Sequence, residues 1–175
     1  MAGAWSVRPA RPEDAAAVAR IRVVTWRSAY RGLMPDHVLD ALDIDELTAR
    51  WGQYIAECPA KGQELFVAET ADGQVVGYAA VGPERDGESG RGEVYAIYVE
   101  PSRQARGAGR ELMAAGTAWL AARGLLPFIL WVLTANQPAR RFYERLGGQV
   151  CGRRTVTIAV PLDETAYCWA GPVTP

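Results

Sequence analysis

The sequence predicts an α/β protein in which a mixed sheet carries helices on its faces. Three observations predict this fold. The segments follow one another as strand, helices, three strands, helix, strand, helix and two strands. Asp72-Gly73 lies between two strand-like segments and is a strong hairpin signal. The length of 175 residues fits one domain better than two, so we expect a single domain over residues 1–175.

The N-terminal third predicts one short strand and three helices. Pro12 with the acids Glu13 and Asp14 predicts a helix start, because acidic side chains favour the positive end of the helix dipole. Apolar residues at helical spacing follow, until Gly32 and Pro35 interrupt them. The predicted strand ends at residues 7–9, and the predicted helices cover residues 15–30, a segment from 36, and residues 45–56.

The rest of the chain predicts six strands and two helices. Pro101 ends one strand, and Pro138 lies in a first helical turn, where its missing N–H costs nothing. Gly147 and Gly148 stop that helix. Residues 83–92 are glycine-rich and charged, which predicts a loop. The predicted strands cover 65–69, 74–81, 93–99, 128–133, 149–160 and 165–170, and the predicted helices 107–123 and 136–146.

The charge balance argues against a protein that binds nucleic acid or a membrane surface. The chain has 19 basic and 20 acidic side chains, whereas phosphate binding needs a surplus of Lys and Arg. No apolar stretch reaches the roughly eighteen residues of a membrane span, and no signal-like segment begins the sequence. We therefore expect a cytoplasmic protein with neither nucleic acid nor membrane as a partner.

The cysteines predict neither a disulfide framework nor a metal site. Cys58, Cys151 and Cys168 are odd in number and widely spaced, and His37 is the only histidine. We expect the three thiols to be buried small hydrophobic residues, and we expect no metal.

The most informative segment follows the predicted strand 93–99 and reads Gln104-Ala-Arg-Gly107-Ala-Gly109. Glycines let the backbone approach a ligand and point successive N–H groups outward. The helix start adds unpaired donors and a positive dipole end, and Arg103, Arg106 and Arg110 add charge. The segment therefore fits a diphosphate. The competing interpretation is a glycine turn that merely starts a helix.

Two nucleotide-binding loops are excluded by spacing. A GxGxxG dinucleotide loop needs a third small residue where Leu112 stands. A P-loop needs Gly-Lys-Ser/Thr, and the only lysine, Lys61, lies far upstream.

A second motif lies downstream, where a strand precedes Asn136 and a helix carrying Phe142-Tyr143-Glu144. With Gln104-x-x-Gly107-x-Gly109, it resembles the GCN5-related N-acetyltransferase (GNAT) superfamily and its Arg/Gln-x-x-Gly-x-Gly/Ala signature. The motifs cover about residues 93–150. Members commonly have Arg and Gly where this chain has Gln104 and Ala105; Gln is an accepted variant, so acyl-CoA binding is still implied.

The resemblance implies a mostly antiparallel sheet with two strands splayed near Val99 and acetyl-CoA in the gap. Backbone groups of Ile97 and Val99 would bind the pantetheine arm, and Asn136 would face it. Asn136 has a competing role as a helix cap. The implied coenzyme A contacts are Ile97, Val99, Gln104, Ala105, Arg106, Gly107, Ala108, Gly109, Arg110, Asn136, Ala139 and Tyr143.

The resemblance also implies which groups donate and accept protons in the reaction. Acyl transfer from a thioester to an amine needs a neutral amine, an oxyanion donor and a proton for the departing thiolate. Tyr143 is the candidate acid, and packing on its helix face is the alternative. Glu93 is the candidate base, acting directly or through water, and a solvated surface position is the alternative.

The acceptor pocket is expected between the N-terminal helices and the hairpin loops. Trp26 and Tyr30 are the candidate substrate-binding residues, because aromatic rings can enclose an amine or a cation. Packing between the first two helices is the alternative. Acids gather at 36–46, where they either attract a cationic amine or form a solvated helix face.

These expectations together describe an enzyme that moves an acetyl group from acetyl-CoA to a primary amine of a small molecule or peptide. A non-catalytic acyl-CoA sensor is the alternative from another class, and a longer acyl donor is a third hypothesis. The resemblance also suggests a homodimer formed through the last two strands.

Overall fold

The computed structural model describes residues 5–87 and 90–175, in which a seven-stranded sheet carries helices on both faces. The strands are β1 Ser6–Pro9, β2 Glu64–Glu69, β3 Val75–Pro83, β4 Gly92–Val99, β5 Phe128–Leu133, β6 Gln149–Ile158 and β7 Val160–Trp169. The helices are α1 Ala15–Ala29, α2 Asp36–Asp40, α3 Ile44–Glu57, α4 Ala108–Ala122 and α5 Gln137–Arg145. The predicted fold class and order of elements are confirmed.

The sheet has the strand order β1-β2-β3-β4-β5-β7-β6. Every neighbouring pair is antiparallel except β4 and β5, which are parallel. The connection between these two central strands contains α4, as parallel pairing requires.

The two faces of the sheet bury separate apolar clusters. Under α4, Leu112 and Met113 pack with apolar residues of the central strands and with Tyr143 of α5. On the opposite face, Val18 of α1 and Ile55 of α3 pack against β2 and β3. The two layers enclose the middle of the sheet, where the candidate site lies.

The last strand begins earlier than the sequence predicts. β7 starts at Val160 rather than 165, and Ala159, with φ +64°, makes the tight turn from β6. The pairing of β5 with β7 begins only at Glu164, so Pro161 lies beyond the end of β5. Because Pro161 has no strand of β5 beside it, its missing N–H does not interrupt the pairing of β5 with β7. The segment around Pro161 therefore continues as a strand.

Two of the three cysteines form a disulfide, so the expectation that all are buried thiols is wrong. Cys151 and Cys168 are bonded with a Cα–Cα distance of 5.9 Å. Cys151 is the extra residue of a bulge in β6, where the register shifts between Val150 and Gly152, whereas the residue paired with Cys168 is Gln149. Cys151 therefore bonds to Cys168 from a diagonal position. A separation of 17 residues across a bulged hairpin gives no recognisable spacing in the sequence. Cys58 is buried and free, as expected.

None of the helices in residues 5–87 and 90–175 has the length and apolar character needed to span a membrane.

Candidate active site

The central strands β4 and β5 separate after two paired positions. Gly92 lies opposite Phe128 and Glu93 opposite Ile129, and the pairing ends there. Residues 95–98 are partly exposed although they lie in the middle of the sheet, whereas residues 92–94 are buried. The sheet therefore opens into a gap between residues 95–99 of β4 and 130–133 of β5, which we call the β4–β5 cleft.

A β-bulge at Tyr95 changes which face of the sheet the side chains beside this cleft lie on. Ala96 pairs with Ala80 and Val94 with Val81, which leaves Tyr95 as the extra residue. Beyond the bulge, Ile97 packs into the cluster under α4, while Tyr98 packs on the α1 face.

The β4 edge of the cleft presents backbone hydrogen-bonding groups. The Val99 carbonyl accepts a hydrogen bond from Gln104 Nε2 at 2.9 Å, so it points toward the cleft. Backbone groups two residues apart in a strand face the same side, and those of Ile97 therefore face the cleft too. An extended ligand arm can pair with such an edge as an added strand does.

The loop before α4 has the backbone geometry of an anion site. Ala105 and Gly107 have positive φ values of +59° and +97°. The Gly107 carbonyl accepts the N–H groups of Arg110 and Glu111 at 2.9 and 3.1 Å. The N–H groups of earlier residues therefore precede the first helical hydrogen bond and point out of the helix end. Together with the dipole and the exposed Arg106 and Arg110, these amides suit a diphosphate.

This loop is fixed on two sides. Trp5 Nε1 donates a hydrogen bond to the Arg106 carbonyl at 2.7 Å. On the other side, a Cβ placed on Gly109 would lie 3.2 Å from Phe142 Cζ, so a glycine lets α4 begin close to α5. The loop is therefore held against the strands that border the cleft.

Asn136 is a helix cap, as one of its two interpretations predicts. Its side-chain oxygen accepts the Ala139 N–H at 3.2 Å, at the start of α5. The amide NH₂ group of Asn136 is a separate donor, so capping and a ligand contact are compatible.

Tyr143 of α5 is buried beside the central strands. Its ring belongs to the cluster under α4 and is 6% exposed. Burial raises the pKa of Tyr143 well above its ordinary value, and the neighbouring Tyr98 adds to this rise. The hydroxyl thus remains protonated and can donate a hydrogen bond.

Glu93 is buried at the closed end of the cleft, so its interpretation as a solvated surface residue is wrong. Its side chain is 2% exposed. The Arg85 backbone N–H donates to Oε2 at 3.0 Å, and the Arg85 guanidinium donates to Oε1 at 2.5 Å. Burial alone would lower the pKa of Arg85, but its bonds to Glu93 raise it overall. The carboxylate is therefore held in a charged pair.

Trp26 and Tyr30 pack together at the end of α1. Their rings are perpendicular, with centroids 5.0 Å apart, and they share an apolar cluster with Leu133 of β5. The Arg22 guanidinium covers a face of the Trp26 ring at 4.1 Å. Packing therefore occupies both rings, and a cationic ligand on Trp26 would meet the positive charge of Arg22.

An open groove of about 550 Å³ adjoins this cluster. Leu33, Leu133 and Leu162 belong to both the groove and the cluster, so the groove reaches from the α1–α2 loop to the β6–β7 hairpin. Thr134 and Asp163 provide polar groups in its wall. Gln137, at the start of α5, also lines the groove.

Sequence reasoning missed two residues near the cleft, Tyr98 and Arg85. The bulge at Tyr95 reverses the alternation of β4 and so conceals which side chains share a face. Arg85 lies in a loop eight positions before its partner Glu93. Arg22 had a local signal, because it stands four residues before Trp26 on one helix face.

Comparisons with known proteins agree on one family. A family model described as "Acetyltransferase (GNAT) family" matches residues 26–148. The "Uncharacterized N-acetyltransferase YuaI" of Bacillus subtilis is 34% identical over 166 residues, which cover 94% of this chain and 92% of YuaI.

Solved structures show the same fold at lower identity. The PaiA N-acetyltransferase of Thermoplasma acidophilum in complex with coenzyme A has a TM-score of 0.75 at 16% identity, covering 92% of this chain and 97% of that one. YncA of Salmonella typhimurium, a putative acetyltransferase with its cofactor acetyl-CoA, has a TM-score of 0.71 at 24% identity, covering 96% and 94%.

Proposed function

Because this chain belongs to the GNAT acetyltransferase family, we propose that it transfers an acetyl group from acetyl-CoA to a primary amine of a small molecule or peptide. The amine attacks directly while both substrates are bound. One observation carries the proposal. The paired strands β4 and β5 separate after Glu93 and Ile129, β4 leads on into the glycine loop, and β5 ends at Leu133 in the wall of the groove.

Acetyl-CoA supplies the activated acyl group, and the chain offers matching contacts along the cleft. The free amides of residues 105–109 and the guanidinium groups of Arg106 and Arg110 would hold the diphosphate, since the amides of Gln104 and Arg110 already donate to the carbonyls of Pro101 and Gly107. The cleft-facing backbone of Ile97 and Val99 would pair with the pantetheine arm. Asn136 and Ala139 would line the β5 side, where the Asn136 NH₂ group is the available donor.

Tyr143 is the proposed acid. Acyl transfer ends with a departing thiolate, and a phenol hydroxyl in the cleft can give it a proton. A coenzyme A thiol with an ordinary pKa of about 8.5 is a fair leaving group, so donation assists the step without carrying it alone. Burial favours this role because the raised pKa of Tyr143 keeps the donor protonated.

Glu93 is the proposed base, acting through water. The Arg85 backbone and guanidinium donate to both oxygens of its carboxylate. Because both oxygens already accept hydrogen bonds and the side chain is buried, we propose no direct contact between Glu93 and the amine. A water molecule between Glu93 and the attacking amine would pass the proton on. A structure with bound acetyl-CoA tests this, since without such a water Glu93 would have no path to the amine.

The groove beside Trp26 and Tyr30 is the proposed acceptor site. Its apolar wall at Leu33 and Leu162 suits the carbon skeleton of a small molecule or a peptide, and Asp163 and Thr134 provide polar contacts. Trp26 and Tyr30 would then form the inner end of the site, close to the cleft.

A thiol-release assay separates the enzyme from the alternative, a non-catalytic acyl-CoA sensor. We expect release of coenzyme A thiol when acetyl-CoA is mixed with a broad panel of primary amines, with a slow rate in their absence. Propionyl-CoA in a parallel series tests for a longer donor. Tight acetyl-CoA binding without release by any amine would contradict the enzyme and favour the sensor.

A cytoplasmic location and a homodimer are further proposals. β6 forms an edge of the sheet, and its Val150 and Ile158 are exposed apolar residues, which supports pairing with a second copy. The Cys151–Cys168 disulfide weighs against a reducing compartment. Sedimentation velocity of the oxidised protein tests the dimer, and a monomer at all concentrations would contradict it.

A further inference from the structure

Arg22 lies where α1 approaches the β4–β5 cleft. Its guanidinium covers Trp26 at 4.1 Å, at the inner end of the acceptor groove. Its positive charge also interacts with the hydroxyls of Tyr30 and Tyr78. Burial raises the pKa of both tyrosines, and the charge of Arg22 opposes this rise. Tyr30 in turn neighbours Tyr98 and Tyr143. These contacts connect Arg22 to both the groove and the proposed acid.

The charge of Arg22 has no carboxylate partner within the described residues. Its side chain is partly buried, yet no ion pair among residues 5–87 and 90–175 includes it. The other arginines of α1 are engaged: Arg20 pairs with Glu100, and Arg27 donates to the Leu39 carbonyl at 3.1 Å. A partly desolvated guanidinium whose neighbours are uncharged aromatic side chains retains most of its capacity to bind an anion.

Buried polar atoms beside Arg22 also lack partners. Trp26 Nε1 and the Tyr78 hydroxyl are buried without a hydrogen bond in the part of the chain that the structure describes. Buried polar groups are almost always satisfied in folded proteins, and exceptions call for a bound water or ligand. Both belong to side chains that neighbour the Arg22 guanidinium, and they indicate a place for a polar ligand group.

The acids nearest the groove do not balance this charge. Asp163 accepts a hydrogen bond from Thr155 Oγ1 at 2.8 Å, and Glu164 pairs with Arg154. Asp36 and Asp40 pair with Arg31. None of these acids pairs with Arg22, although Asp163 in the groove wall has no ion-pair partner among the described residues.

We propose that Arg22 binds an anionic group, a carboxylate or a phosphate, on the acceptor, which is therefore an amine that also carries an acid. This inference rests on the proposed function and specifies its substrate class. A guanidinium offers two parallel donors to such a group, which fixes the acceptor in orientation as well as in place. A polycationic amine would instead be repelled.

The test uses acceptors matched in pairs, one acid and one neutral. Standard α-amino acids are compared with their carboxamides, and O-phosphoethanolamine with ethanolamine, in the thiol-release assay. We expect kcat/KM for the preferred acid to exceed that of its neutral partner by about 10- to 100-fold. This is the ratio that corresponds to the free energy of a hydrogen bond to a charged group. Arg22→Gln should remove this preference, so that the acid and its neutral partner then react with similar kcat/KM.

Arg31→Gln is the matched control, because it removes the same charge from an exposed arginine whose partners are Asp36 and Asp40. It should retain the preference, and Arg22→Lys should retain part of it. A rise in Tm on adding each acceptor, measured with coenzyme A present, reports binding without turnover. Stabilisation by the acid alone, lost in Arg22→Gln, supports the inference even if no thiol is released and the proposed function fails. Equal rates and equal Tm shifts within every pair would overturn it.

Discussion

Replacing Tyr143 with phenylalanine is expected to lower kcat about 100-fold, at the lower end of general-acid effects because a thiolate leaves readily. The substitution removes only the hydroxyl, and the ring keeps its packing against Phe142 and Trp169. The KM for acetyl-CoA should stay nearly unchanged, since the diphosphate contacts lie elsewhere. Steady-state kinetics with a saturating amine measure both constants.

The pH profile of the wild type gives a second check on Tyr143. Burial raises the pKa of this phenol above its ordinary value of about 10. The hydroxyl donates only below its pKa, so kcat should not fall between neutral pH and pH of about 10 through loss of this proton.

Tyr167→Phe is the control for the hydroxyl. Tyr167 is also buried, with its ring centroid 6.0 Å from that of Tyr143, but its hydroxyl donates to Glu144 and accepts from Arg140. This variant should lose stability and keep its kcat. An unchanged kcat in Tyr143→Phe, or an equal loss in both variants, would remove Tyr143 from the mechanism.

The substitution Gly107→Ala is expected to weaken acetyl-CoA binding about tenfold. A side chain at the φ of +97° found here is strained by roughly 1–2 kcal/mol. The unliganded loop can relax to a negative φ, so binding must restore the strained conformation and the strain appears as lost affinity. Isothermal titration calorimetry with coenzyme A measures the change in Kd.

Gly124→Ala provides the control for backbone strain. Gly124 follows the other end of α4, has a φ of +71°, and has open space around its Cβ position, as Gly107 nearly does. This variant should lose stability without losing coenzyme A affinity. A Kd that moves equally in both variants would mean that the effect is one of general stability.

The glycine loop was predictable because its signal is local. The segment from Gln104 to Gly109 encodes a turn with positive φ and a helix start in six consecutive residues. The structure adds that the Gln104 side chain holds the Val99 carbonyl. This contact depends on where the loop folds back, which residue types alone do not specify. The helix-capping role of Asn136 was likewise local and was anticipated.

The other features of the fold and the site depended on contacts between residues that are far apart in the sequence. The disulfide between Cys151 and Cys168 requires a bulge in β6, and the burial of Glu93 requires Arg85 to fold over it. The bulge at Tyr95 similarly decides that Tyr98 shares a face with α1. A one-residue shift in register reverses which side chains meet, and a sequence pattern does not mark where it occurs.

A crystal structure with bound acetyl-CoA tests the account most directly. We predict the diphosphate on the amides of residues 105–109, the pantetheine arm against Ile97 and Val99 in the β4–β5 cleft, and the thioester sulfur within hydrogen-bond reach of the Tyr143 hydroxyl. The thioester carbonyl should open toward the groove beside Trp26 and Arg22. Acetyl-CoA bound outside the cleft, or with its thioester away from Tyr143 and closed off from the groove, would contradict the proposed mechanism.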